Sequence, residues 1–211
     1  MPLAPSDIDS RLRQGEAAAL AELLEQERPR LLRTVRMRMD QRLARRVEAE
    51  DVVQEAFLAA RTRIAHYAAD GFTRPYTWLR LVLLQTLADL HRHHLGAQMR
   101  DAGREAALVP LSGTANRSLA ELLSGSVTSP SGAAMRREGS ALLAKAIDAL
   151  SEADREVIAL RHFEDLANEE VADALGIQPK AASIRYVRAI RRLGELLAAE
   201  GLSFGDLHVR R

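Results

Sequence analysis

The sequence predicts an all-α protein: two small helical domains joined by a flexible linker, the second containing a helix-turn-helix. Three observations carry this. Apolar residues recur at three- and four-residue spacing along most of the chain, and no segment alternates as a half-buried strand does. One stretch, 108–132, gathers Pro110, Gly113, Gly125, Pro130 and Gly132 with several Ser and Thr, which is linker composition. Two helical patterns flank Gly176 with helix-turn-helix proportions. The domains are therefore expected over residues 1–107 and 133–211, with 108–132 as the linker.

Each element has its local reason. Helix formers fill 16–26, and Pro29 suits the first turn of a second helix, where a missing N–H costs nothing. A third helix is expected over 49–67. Asp70-Gly71 marks a loop over 68–73. Pro75 opens a helix to about residue 95, with a continuation past Gly96 toward 107. Beyond the linker, helix returns over 133–150. Ser151 with Asp154 three positions on resembles a capping box, starting a helix through 162. A short helix over 169–175, capped by Asn168, a turn over 176–179 and a last helix over 180–200 complete the chain.

Composition excludes several functions. A chain of 211 residues has room for one or two domains. Aromatics are only 4%, so Leu, Val, Ile and Ala must build the core. The formal net charge of +1 announces no nucleic-acid partner by itself, so only local patches can. Of the 30 basic residues 28 are Arg, which reads mainly as a GC-rich genome. Cysteine is absent, which excludes disulfides, thiolate catalysis and Cys-ligated zinc. No segment approaches the roughly 20 apolar residues needed to span a bilayer. Residues 1–10 carry two Asp and no base, unlike a signal peptide. The expectation is a cytoplasmic protein with no membrane association.

The last helix, placed on a wheel, puts Ala182, Tyr186, Ala189, Ile190, Leu193 and Leu197 on a core side. Lys180, Ile184, Arg185, Arg188, Arg191 and Arg192 fall opposite, and no acid interrupts that face before Glu195. The preceding stretch, 152–173, is strongly acidic, with eight carboxylates against two Arg. Basic charge is thus concentrated on the helix that a helix-turn-helix inserts in the major groove. Arg there can bind guanine or phosphate, and Ile184 can meet a thymine methyl. The plainer alternative is a solvated basic face on a helical hairpin.

In the first half, Val53, Phe57, Ala60 and Ile64 form the expected core stripe of the third helix. Opposite lie Asp51, Gln54, Glu55 and Leu58: two carboxylates, an amide and a Leu, a docking patch for a basic partner. Arg-rich stretches bracket it, at 28–46 and 61–104. The second interleaves Arg74, Arg80 and Arg92 with Tyr67, Phe72, Tyr76 and Trp78, as single-stranded DNA binding requires: bases for phosphates, rings for unstacked nucleobases. Core packing of Tyr76 and Trp78 is the competing explanation. His91, His93 and His94 cluster near Asp89 with spacing that a metal site can use, but a polar helix end facing DNA is preferred and no metal is assigned.

These residues resemble a known family. Ala49-Glu50-Asp51-Val52-Val53-Gln54-Glu55-Ala56-Phe57-Leu58 is similar to the "A-E-D-L-V-Q-E-x-F-L" signature of bacterial extracytoplasmic-function (ECF) sigma factors of the sigma-70 family. Trp78-Leu79 followed by Asp89 and Arg92 fits that family's "W-L … D-x-x-R" pattern. Leu150, Arg155-Glu156-Val157, Leu160, Phe163-Glu164, Glu170-Val171-Ala172, Leu175-Gly176, Arg185, Arg188-Ala189 and Leu193 match its second half. The resemblance implies a non-enzymatic factor without cofactor that binds RNA polymerase core and directs promoter recognition, melting and initiation. Its first domain would dock on the polymerase clamp helices through Asp51, Gln54, Glu55 and Leu58. The same domain would contact the melted minus-ten element through Phe72, Tyr76, Trp78, Arg80, Asp89 and Arg92. The second would read the duplex minus-thirty-five element through Lys180, Ile184, Arg185, Arg188, Arg191 and Arg192, with the polymerase flap beside it. An anti-sigma factor is the family's usual regulator. Gln85 stands where the family usually has Asn, Ala181 where it has Thr, and Ala167 where a Ser cap is common. The stretch 94–101 is read as a subgroup feature. The alternative is a two-domain helix-turn-helix regulator that acts without docking on polymerase.

Overall fold

The computed structural model describes residues 5–68, 74–95 and 133–201. Among these residues every regular element is a helix. The chain divides into two compact units, Met1–Val109 and Pro110–Arg211. The expected linker, the continuation past Gly96 and nearly all of the loop at 68–73 lie outside the described residues.

The first unit contains α1 (Pro5–Arg13), α2 (Ala17–Arg38), α3 (Gln41–Ala44), α4 (Ala49–Arg63) with a tight 3₁₀ turn at Ile64–His66, and α5 (Pro75–Leu95). Helix α5 packs against α1, α2, α3 and α4. Leu20, Leu23, Leu31 and Val35 of α2, Val52, Val53, Ala56 and Ala60 of α4, and Trp78, Leu79, Leu83 and Leu87 of α5 fill the core. The stripe expected on α4 is therefore shifted. Val53 and Ala60 are buried, Phe57 and Ile64 are only half-buried, and Val52 and Ala56 complete the seam.

Two expectations change here. Pro29 does not start a helix. It lies inside a single 22-residue helix, α2. An interior proline costs about 3 kcal/mol of helix propensity, but Leu20 and Leu23 before it and Leu31, Leu32 and Val35 after it are all buried. Burying that many large side chains, each about 1.5–3 kcal/mol, outweighs the proline, whose ring sits on the exposed side. The second change is α1, which the helix pattern beginning at residue 16 did not include. It is anchored by Ile8 and Leu12, both buried, and by a hydrogen bond from the Tyr67 hydroxyl to Asp9 Oδ1 at 2.6 Å.

The second unit contains α6 (Ala133–Asp148), α7 (Glu152–His162), α8 (Asn168–Leu175) and α9 (Pro179–Ala199). Helix α9 packs on α6, α7 and α8, burying Ala182, Ala189, Leu193 and Leu197 against Leu143, Ile147, Val157, Ile158 and Val171. Ser151 caps α7 by accepting from the Asp154 N–H at 3.2 Å, and its hydroxyl donates to the Asp154 carboxylate at 2.7 Å. Asn168 is not the cap of α8, because Ala167 holds that position. Asn168 Nδ2 instead donates to the Pro179 carbonyl at 2.9 Å, tying the start of α8 to the start of α9. The Glu170 carboxylate accepts from the Ala167 N–H at 2.9 Å. Helix α8 ends at Gly176 in the left-handed region, φ 62°, a conformation that glycine adopts without a Cβ clash. The Ile177 N–H then closes back on the Ala172 carbonyl at 2.9 Å.

Candidate functional site

Helix α4 starts at a polar cap: the Asp51 carboxylate accepts the Glu48 N–H at 3.3 Å. Burial of Val52, Val53, Ala56 and Ala60 turns the opposite face outward. Asp51, Gln54 and Glu55 are exposed there, and Leu58 is 57% exposed. The four predicted residues thus share one open face, an apolar side chain beside two carboxylates. The sequence did not show that Asp51 also holds the helix start. Arg28 of α2 donates to Glu50 at 2.9 Å at the edge of this region, so the flanking acid Glu50 is occupied within the fold.

The residues assigned to unpaired DNA separate into three groups. Tyr76, Trp78 and Arg80 are buried, at 3%, 1% and 3% exposure. Trp78 meets the Tyr67 ring edge-on with centroids 5.0 Å apart. The Arg30 guanidinium lies 3.9 Å over the Tyr76 ring. Rings enclosed in this way present no face to a nucleobase, so these three are corrected from contact residues to core residues. The physical reason is that Tyr76–Arg80 is buried residue after residue, because α1, α2 and α4 all pack on α5. Asp89 and Arg92 are exposed near the far end of α5 and pair with each other. Phe72 lies outside the described residues. Gln85 accepts a hydrogen bond from Arg63 of α4.

The three histidines do not converge. His91 is buried, and its Nε2 accepts the Asp40 N–H at 3.2 Å. His93 and His94 are edge-to-face neighbours with centroids 5.0 Å apart. Among the described residues no group of three or more His, Cys, Asp or Glu is placed to hold a metal ion. Burial pushes the His91 pKa below its ordinary value. The Asp40 carboxylate opposes that shift and Arg42 adds to it.

In the second unit the face of α9 away from the core carries Lys180, Ile184, Arg188, Arg191 and Arg192, all exposed, while Arg185 is half-buried. Glu195 pairs with Arg192 at 3.1 Å and Arg191 at 3.7 Å. Among the described residues Lys180, Arg185 and Arg188 make no ion pair. The other side of α9 is fixed by a polar clasp: the Tyr186 hydroxyl meets His162 Nε2 at 2.8 Å, and the Arg161 guanidinium lies 5.4 Å over the Tyr186 ring. Val187, 62% exposed, is a surface residue that the sequence reading left out. The wheel did hold the signal, since Val187 falls about 20° from Lys180 on the same outward face.

A short first helix, a glycine turn and a longer second helix with cations outward form a DNA-binding helix-turn-helix. Its companion is a separate helical unit with an exposed acidic and apolar face on α4. Comparison with known proteins agrees. Residues 23–95 match the family model "Sigma-70 region 2" and residues 140–193 match "Sigma-70, region 4". The RNA polymerase sigma factor NccH of Alcaligenes xylosoxydans xylosoxydans is 31% identical over 150 residues, 71% of this chain and 73% of that protein. The ECF RNA polymerase sigma factor SigD of Mycobacterium tuberculosis is 29% identical over 188 residues, 89% of this chain and 81% of that protein. A solved structure described as "Structure of CnrH in complex with the cytosolic domain of CnrY" has the same fold, with a TM-score of 0.53 at 23% identity, covering 94% of this chain and 99% of that one. The chain belongs to the sigma-70 family of RNA polymerase sigma factors, in its extracytoplasmic-function group. It is a transcription initiation factor, with RNA polymerase and promoter DNA as its partners. No helix among the described residues is long and apolar enough to cross a membrane.

Proposed function

We propose that the first unit docks on the clamp helices of RNA polymerase core through Gln54, Glu55 and Leu58 of α4, with Asp51 contributing charge while it holds the helix start. One observation carries this: a 57% exposed Leu58 sits beside outward carboxylates on a helix whose opposite face, Val52, Val53, Ala56 and Ala60, is buried. Exposed apolar surface rimmed by charge is what a protein partner covers, and acids steer toward a basic surface. Residues 1–107 then act as the core-binding and minus-ten module, 108–132 as linker, and 133–211 as the minus-thirty-five module beside the polymerase flap. Promoter DNA is met twice, as separated strands near Phe72 and the Asp89/Arg92 end of α5, and as duplex at α9. The protein works in the cytoplasm, has no catalytic centre of its own, and is held inactive by an anti-sigma factor that covers one of these faces.

The test is competition for core polymerase. Glu55→Arg with Leu58→Ala leaves the Asp51 cap in place, so helicity by circular dichroism should be unchanged while affinity for core falls at least tenfold. Competition equal to the parent's would remove the docking assignment and leave the second unit as a DNA-binding regulator.

A further inference from the structure

Three large apolar side chains are exposed among the described residues: Leu58, Ile184 and Val187. Leu58 belongs to the docking face of α4. The other two lie three residues apart on α9, 43% and 62% exposed, about 60° apart on a wheel of about 100° per residue. Lys180 and Arg191 fall within that arc, and Arg188 flanks Ile184. The buried stripe of Ala182, Ala189 and Leu193 lies on the far side of the helix. The middle of the outward face is therefore two branched hydrocarbons with cations at both ends.

A face built only to grip phosphates has no use for Ile and Val at its centre. A face built for a protein partner would not need cations such as Lys180 and Arg188, which make no ion pair among the described residues, around them. The duplex major groove offers both chemistries: two phosphate rows at its edges, and on its floor one apolar group, the thymine 5-methyl. Ile184 and Val187 are about 4.5 Å apart along the helix axis, at 1.5 Å per residue, close to one base-pair step of about 3.4 Å. Two neighbouring base pairs are within their joint reach. We propose that Ile184 and Val187 read thymine methyl groups at adjacent base pairs of the upstream promoter element, while Lys180, Arg188 and Arg191 hold the phosphates on either side. This rests on α9 being the recognition helix. It adds which base is read, by which chemistry, and it brings in Val187.

The test uses the full chain bound to bacterial core polymerase. Duplex promoters are recovered from a pool randomised over the upstream element and then remade with deoxyuridine for thymine there, which removes only the methyl groups. The recovered sequences should share thymine, on either strand, at two adjacent base pairs. Uracil should weaken binding about fourfold per methyl, the factor expected from burying one CH₂-sized group. Ile184→Ala and Val187→Ala, both at exposed sites in a helix that alanine favours, should each lose about fourfold of that thymine preference, and the two combined should bind thymine and uracil duplexes alike. Equal binding of the two duplexes by the parent overturns the proposal. So does an unchanged thymine preference in both alanine variants. A loss of core binding with the thymine preference intact would assign the pair to a protein contact, and it overturns the proposal too. Recovery of no upstream sequence at all would instead bring down the recognition-helix reading on which the proposal stands.

Discussion

His91 shows how one buried side chain sets a condition on the whole first unit. Its Nε2 accepts from Asp40, and its Nδ1 is buried with no hydrogen-bond partner among the described residues. That arrangement requires a neutral imidazole, and burial holds the folded pKa below the ordinary value. His162 behaves likewise, depressed by burial and then by Arg161. In the unfolded chain both histidines take up protons as pH falls through about 6.5. The folded state resists this, so the stability is fully present above that value and drains away as pH drops toward the lower folded values. Urea midpoints should be flat above about pH 7 and fall steadily below about 6.5. His91→Gln, which cannot titrate, should show a shallower fall even if it starts lower, and an identical slope would mean that His91 does not contribute. Trp78 gives the second residue-scale prediction. As a core ring, Trp78→Ala should cost about 3–5 kcal/mol in urea unfolding. A stable variant defective only in promoter melting would restore it to the DNA-contact set. The sequence could not separate these roles, because rings alternating with Arg read the same whether the rings stack on bases or on each other. Only the packing of α1, α2 and α4 around α5 distinguishes them.

At the scale of elements, local signals were reliable where the chain needs a backbone feature and weaker where tertiary burial overrides one. Gly176, Pro179 and Ser151 mark a left-handed cap, a first-turn proline and an N-cap, each dictated by its own stereochemistry, and the helix-turn-helix was legible from them. Pro29 carries the same kind of signal with the opposite outcome, since buried Leu residues on both sides hold α2 continuous. No pattern within a few residues of Pro29 reports that. The placement has a measurable consequence: its exposed ring contributes little packing, while its missing N–H leaves one α2 carbonyl without its helical partner. Pro29→Ala should therefore raise stability by up to about 3 kcal/mol, seen as a higher urea midpoint with an unchanged slope. A loss of stability would show that the proline ring packs usefully after all. The cap of α8 is a smaller case. Asn168 was read as a cap from its type alone, but its side chain spans to the Pro179 carbonyl, a partner eleven residues away that spacing rules do not search.

For the whole molecule, the near-neutral balance of +1 hides two chemically different surfaces. An acidic and apolar face on α4 belongs to the first unit, and a basic face on α9 belongs to the second. Both are legible in the sequence: Asp51 and Glu55 share a helix face with Leu58, and the bases of 180–192 follow an acidic stretch at 152–173. On the proposed docking, neither surface by itself explains promoter choice, since a protein-docking face carries no sequence information and one helix reads only a few base pairs. Selectivity then depends on covalent connection. Once the first unit is held on polymerase, the second searches DNA at an effective concentration set by the connecting chain, and linking two weak contacts raises overall affinity by about 10²–10⁴. Residues 108–132, rich in Gly, Ser and Pro, suit that role. The prediction uses an intact chain with a specific protease site inserted near Gly125. Before cleavage, transcription from a promoter with its upstream element should match the parent's. After cleavage at nanomolar protein, it should fall at least tenfold, while a promoter whose upstream element has been scrambled should lose almost nothing. Raising the cleaved protein toward millimolar should recover the activity. An equal response of both promoters to cleavage would mean that the connection serves folding or polymerase binding rather than upstream recognition.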